Sequence, residues 1–258
     1  MKKILFLIAF IAVAIAYPCM AGMPGNTVAW VGVPSGGGSE CSSFYDDSIL
    51  SWDGDYPSDT DAACETDGDQ VQGSQSGGDL GTDYGESGSV GFKVDAANEH
   101  ISYSQSADQY LDDLGAVTIW MRIYFSALPT STAAIFMGFN GVGNYILIDV
   151  RNTGELTGTY RDVGTVNLVY SPSSISAESW VDVAYSYDRA SANTHTFNTG
   201  GSWKADESDS LSTSTVGDIS KIDIGETDEG GAFSMGAGEY YQITQWAIVD
   251  GYKAAKPW

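Results

Sequence analysis

Val117-Thr-Ile-Trp-Met-Arg-Ile-Tyr-Phe125 is the stretch on which the fold turns. Ile119, Met121, Ile123 and Phe125 occupy every second position, with Trp120, Arg122 and Tyr124 between them. Successive side chains of a strand point to opposite faces, so this alternation predicts one dry face and one mixed polar-aromatic face. Two further runs repeat it. In Tyr145–Arg151, Ile146, Ile148 and Val150 alternate with Tyr145, Leu147, Asp149 and Arg151; in 180–187, Val181, Val183, Tyr185 and Tyr187 alternate with Asp182, Ala184 and Ser186. One greasy face per strand is the pattern of an antiparallel sandwich. Further strands are expected over 90–94, 100–103, 133–139, 156–161, 165–170, 194–197, 221–224 and 240–249, separated by Gly, Asn, Asp and Ser. No run of ten residues holds a helical period; 104–114 is the best candidate for a turn of helix. The fold class is therefore all-β.

Upstream the texture is different. Met1–Ala21 carries Lys2 and Lys3, an apolar stretch and a small-residue end, so it reads as a secretory signal peptide cut after Ala21. That stretch is too short for a membrane span. Residues 22–40 form a Gly/Pro-rich arm whose Val28-Ala-Trp-Val-Gly-Val33 could add a strand to a sheet edge. The sandwich domain is expected over 41–258. Between Glu40 and Glu86 there are thirteen acidic residues and no Lys or Arg, so a solvated loop is expected there, with strand character only in Ile49–Trp52. Loss of Cys19 with the signal would leave Cys41 and Cys64, a default disulfide in an oxidising compartment. It would close a 23-residue loop and contribute about 3 kcal/mol.

The net charge of -23 makes nucleic acid and anionic membranes poor partners. Acidic loops bring calcium into view: Asp53, Asp55, Asp59 and Asp61 supply hard oxygen ligands, although their spacing is not that of an EF-hand.

The order of motifs resembles the laminin-G-like, concanavalin A-like lectin/glucanase superfamily. The residues that carry the likeness are Ile49-Leu-Ser-Trp-Asp-Gly-Asp55, Gly85-Glu-Ser-Gly-Ser-Val-Gly-Phe92, Glu99-His-Ile-Ser-Tyr103, Thr118-Ile119, Trp180-Val-Asp-Val-Ala-Tyr-Ser-Tyr-Asp188, Lys221-Ile-Asp-Ile-Gly225 and Ile243-Thr-Gln-Trp-Ala-Ile-Val-Asp250. The chain departs from it at Thr199-Gly200, at Thr244-Gln245 and at Arg122, where the family carries Trp. The resemblance implies a jelly-roll β-sandwich and a repertoire of sugar binders, adhesion modules and glycosidases.

A retaining glycosidase needs two carboxylates about 5 Å apart on one face. The nearest string, Glu226-Thr-Asp-Glu229, lies between Gly225 and Gly230-Gly231 and reads as a solvated turn. Neither His100 nor His195 sits in a recognisable nucleophile relay. The expected ligand face instead combines Trp120, Arg122 and Tyr124 with Tyr145 and Asp149 on a neighbouring strand, aromatic plates beside hydrogen-bonding groups, which suits a glycan. The expected function is a secreted, non-catalytic carbohydrate-binding or adhesion module. An assembly protein that joins its own copies through the arm is the first alternative, and a polysaccharide-degrading enzyme the second.

Overall fold

The computed structural model describes residues 48–52, 63–65, 70–104, 111, 116–140, 143–162, 165–188, 194–199, 202–203, 219–227 and 235–251. They form strands and almost nothing else. In chain order these are β1 (Ser48–Trp52), β2 (Ala63–Glu65), β3 (Gln70–Val71), β4 (Ser74–Ser76), β5 (Asp79–Gly81), β6 (Gly91–Val94), β7 (His100–Ser104), β8 (Ala116–Phe125) and β9 (Thr132–Phe139). There follow β10 (Tyr145–Arg151), β11 (Leu156–Asp162), β12 (Thr165–Tyr170), β13 (Trp180–Asp188), β14 (Thr194–Thr199), β15 (Ser202–Trp203), β16 (Lys221–Gly225) and β17 (Tyr241–Asp250). No helix among the described residues is long and apolar enough to cross a membrane.

Two antiparallel sheets carry these strands. The ten-stranded sheet runs β15-β14-β13-β8-β17-β1-β2-β3, with β6 on β17 and β5 on β6; the seven-stranded sheet runs β12-β11-β10-β9-β16-β7-β4. Ile119, Met121, Ile123 and Phe125 share one apolar core with Ile146, Ile148 and Val150 of the other sheet and with Val183, Tyr185 and Tyr187 of β13. Period-two alternation placed each of these side chains, and the chain is an all-β, two-sheet sandwich. Every strand expected after Gly88 is present within two residues of its expected ends.

The segment before Gly88 holds more structure than its acidity implies. Besides β1, it contributes β2, β3, β4 and β5. Their side chains carry little apolar signal because backbone pairing holds them: β2 to β1, β4 to β7 and β5 to β6. Such short additions at sheet margins need no buried face of their own.

Strict alternation also fails in β17. Tyr241, Ile243, Trp246 and Ile248 all enter the core, a step of three between Ile243 and Trp246. The register against β8 slips between Ile243 and Gln245, so Thr244 is an inserted residue that resets the faces. Its hydroxyl donates to the Val90 carbonyl at 3.1 Å and meets the Ser89 hydroxyl at 2.8 Å.

Ile123 on β8 is fully buried between two paired neighbours. Ile123→Ala is expected to cost about 2–5 kcal/mol in urea unfolding, through lost transfer energy plus a cavity. A solvent-exposed substitution such as Val166→Thr should fall within about 0.5 kcal/mol of wild type.

Candidate functional site

The outward face of the ten-stranded sheet differs along its length. Toward the Ala116 end of β8 it is buried, with Thr118 and Ser186 hydrogen-bonded across the strands at 2.6 Å. Toward the Phe125 end it is half-open and aromatic. There the pairing places Trp180 opposite Tyr124, Tyr124 opposite Gln242, Gln242 opposite Lys93 and Lys93 opposite Asp79. Four inter-strand steps of about 4.8 Å make this row roughly 19 Å long.

The row is continuous at the level of rings and charge. The Trp180 and Tyr124 rings lie 5.5 Å apart, and Tyr124 stacks with Tyr240 at 6.3 Å and 27°. The Lys93 ammonium lies 5.6 Å from the Tyr240 ring and 5.6 Å from the Tyr84 ring, within cation–π range of both. Local features deliver each member. The Ser126 hydroxyl donates to the Tyr240 carbonyl at 2.9 Å and accepts from the Tyr240 amide at 2.8 Å, pinning that residue beside the end of β8. The Glu178 amide donates to the Phe125 carbonyl at 2.7 Å from a left-handed backbone, φ 61°, and so turns the chain into β13 at Trp180. Glycine is required at 91, because a Cβ there would meet the Tyr84 carbonyl oxygen at 2.1 Å. That close approach sets the Tyr84–Glu86 segment against the sheet.

Arg122 ties that segment down. Its Nε and Nη2 donate to the two Glu86 carboxylate oxygens at 2.8 and 2.7 Å, and Nη1 donates to Asp182 at 2.8 Å. Burial pulls the guanidinium pKa down, but Glu86 and Asp182 outweigh it and the net shift is upward. Lys93 is held similarly, bonded to Asp95 and 3.4 Å from Asp79, and its pKa rises, chiefly through the Asp95 bond. Desolvation raises the Tyr124 phenol, helped by Tyr240 and Glu178, so it remains a neutral donor.

The structure divides the expected site. Arg122 and Tyr124 lie on the aromatic face as the alternation predicts. Trp120 shares their side of the strand, yet it is only 2% exposed, opposite Ala184 and Ala247, and is not an open plate. Tyr145 and Asp149 are not neighbours of this row at all: β10 belongs to the other sheet, and its inward side chains are Ile146, Ile148 and Val150. The two sets therefore face away from each other across the core. Trp180, Tyr240, Tyr84 and Lys93 were missed. Their signal was weak, since three of the four sit at strand starts or in a turn rather than inside an alternating run. Asp53, Asp55, Asp59, Asp61 and Cys41 lie outside the described residues. Cys64, on β2, is buried and disulfide-bonded. No three His, Cys, Asp or Glu side chains among the described residues are grouped to hold a metal ion.

On the seven-stranded sheet, Tyr145 packs under Arg161, 5.4 Å from guanidinium carbon to ring centre. Asp149 accepts a hydrogen bond from Thr157 and is 7% exposed. It pairs in register with Ala134, a small residue beside which a second carboxyl group comes to rest. That group is Glu226, 1% exposed rather than solvated, with no hydrogen bond of ordinary geometry to either oxygen. Burial pushes Glu226 up to about 8, the nearby Ala134 amide pulling down and Asp149 pushing further up. Burial also raises Asp149 to about 6 against the opposing pull of Thr157 and Arg151. At these exposures the pair offers no room for a sugar ring.

No family model matches the chain, and no curated protein is similar to it. Solved structures share the fold. The botulinum neurotoxin serotype D binding domain aligns with a TM-score of 0.61 at 13% identity, covering 81% of this chain and 48% of that one. The serotype G binding domain gives 0.59 and 14%, covering 80% and 49%. The neurotoxin DC binding domain solved with rat synaptotagmin II gives 0.59 and 11%, covering 82% and 50%. The chain thus spans about half the length of these domains, and at such identities the likeness is one of fold.

The Glu226 carboxyl predicts a pH dependence. Its folded value, about 8, lies above its ordinary 4.5, so the folded chain holds a proton that the unfolded chain releases. Stability from this group is complete below about 4.5 and declines as pH rises through about 8. Melting temperature measured from pH 5 to 9 should therefore fall, and Glu226→Gln should flatten the decline and raise the alkaline end.

Proposed function

We propose that this chain is a secreted, non-catalytic carbohydrate-binding module of concanavalin A-like type, which takes glycan across the Phe125 end of its ten-stranded sheet. The observation that carries the reading is the unbroken series Trp180, Tyr124, Tyr240, Lys93 and Tyr84, each within 6.3 Å of the next. Sugars present apolar ring faces edged with hydroxyls, and a row of half-open rings interleaved with polar groups matches both. Rings locked by their neighbours lose little entropy on binding. Two of the similar domains are described in terms of glycans: entry of the type C toxin depends on interaction with two ganglioside molecules, and a DC domain was solved in complex with SialylT. The signal peptide over 1–21 and a Cys41–Cys64 bridge belong to this reading, as does calcium held by the Asp53–Asp61 loop.

One observation favours assembly as a second reading. β12 ends the seven-stranded sheet, and its Val166 is 50% exposed with Leu168 on the same face. A strand that ends a sheet among the described residues and carries exposed apolar side chains suits an added strand, and Val28–Val33 has the sequence for one. Deletion of residues 22–40 would convert an oligomer to monomer in size-exclusion chromatography if the arm does this. A monomer with and without the arm removes the second reading.

For glycan binding, Trp180→Ala and Tyr124→Ala are each expected to weaken retention on an insoluble polysaccharide at least about tenfold, roughly 1.4 kcal/mol of lost contact. Tyr145→Ala, on the opposite side of the sandwich, should leave retention unchanged. Binding that survives both ring truncations in folded protein rejects this face as the site.

A further inference from the structure

Resting on the glycan-binding reading, we infer that the aromatic face of the ten-stranded sheet selects uncharged glycans and rejects acidic ones. A sialic or uronic acid needs a cation free to meet its carboxylate, commonly through a bidentate arginine. Among the described residues, Lys93 and Arg122 are the lysine and arginine that this sheet supplies. Both are committed. Arg122 spends three of its donors on Glu86 and Asp182. Lys93 is bonded to Asp95 and Asp79, with Tyr84 and Tyr240 on its remaining sides. An incoming carboxylate would have to displace one of the protein's own and leave it unpaired beside the ligand.

Around these two cations the face carries four acids, Glu86, Asp182, Asp79 and Asp95, of which Asp79 and Asp95 are exposed. The local balance is negative, on a chain of net charge -23. Repulsion of an anion is screened only beyond about 8–10 Å in ordinary salt, farther than the ligand would stand from these groups. The rings, by contrast, ask for no charge: they need the flat apolar face that any pyranose offers.

The test is a panel at about 0.15 M salt, comprising neutral polysaccharides (β-glucan, xylan, mannan), sialylated gangliosides and polygalacturonate, read by retention and by calorimetry. Binding to one or more neutral polysaccharides, weakened by Trp180→Ala, with none to the sialylated or uronate ligands, is the expected result. Binding to a sialylated or uronate ligand that Trp180→Ala abolishes overturns the inference and leaves the glycan-binding reading standing. Failure of every ligand to bind overturns the reading, and the inference with it. A second variant isolates the charge argument: Asp79→Asn with Asp95→Asn frees Lys93 and should raise affinity for the uronate polymer at least about fivefold relative to affinity for the neutral polysaccharide. Neutral binding that persists with no such gain also overturns the inference.

Discussion

β8 is hydrogen-bonded along both edges, to β13 on one side and to β17 on the other, while its inward side chains fill the centre of the core. That double pairing is the constraint on which the rest of the sandwich depends. It fixes which residues of three strands stand side by side, and a slip of one residue in either register would exchange the buried face for the exposed one. With Val117, Ile119, Met121, Ile123 and Phe125 all buried, such a slip would take five large apolar side chains out of the core and drive Arg122 and Tyr124 into it. At roughly 1.5–3 kcal/mol each, the loss would be comparable to the whole stability of a typical domain.

The aromatic face is a consequence of that register. Trp180 and Tyr124 meet because Val181 and Ile123 must pair beneath them, and Tyr240 arrives because Tyr241 is stacked on Phe125 inside, 5.1 Å between ring centres. Local irregularities then trim the surface. The extra residue at Thr244 returns Trp246 to the core, where it packs 5.2 Å from Tyr103 of the opposite sheet. The same irregularity lets β6 and β1 share one edge of β17, and β6 is the strand that carries Lys93.

Charge is distributed unequally between the two outer faces. On the ten-stranded sheet the described cations, Lys93 and Arg122, are both paired with carboxylates. On the seven-stranded sheet Arg151 pairs with Glu155 and Lys221 with Asp223, Arg161 and Arg151 also lie over tyrosine rings, and Asp149 and Glu226 share a buried corner with no lysine or arginine among the described residues bonded to either. Protonation is the inexpensive answer to two buried carboxyls in one place, since leaving both ionised in a poorly solvated site costs far more.

Strand identity and inward-facing residues were legible in the chain itself, because alternation is a local property and burial of one face demands it. Val117–Phe125, Tyr145–Arg151 and Trp180–Asp188 needed no partner to be read. β2 to β5 were not legible: they are held by backbone pairing to β1, β2, β7 and β6, and backbone hydrogen bonds leave no trace in side-chain pattern. The candidate face was half legible for a related reason. Alternation states which side of its own strand a residue occupies and says nothing of which sheet that strand joins, so it put Arg122 and Tyr124 on the outward side of β8, where they lie, but could not show that Tyr145 and Asp149 belong to the other sheet. Only the tertiary structure decided that Trp120 is covered, that Glu226 is dry, and that Trp180, Tyr240, Lys93 and Tyr84 converge, because those facts arise from the pairing of segments far apart in the chain.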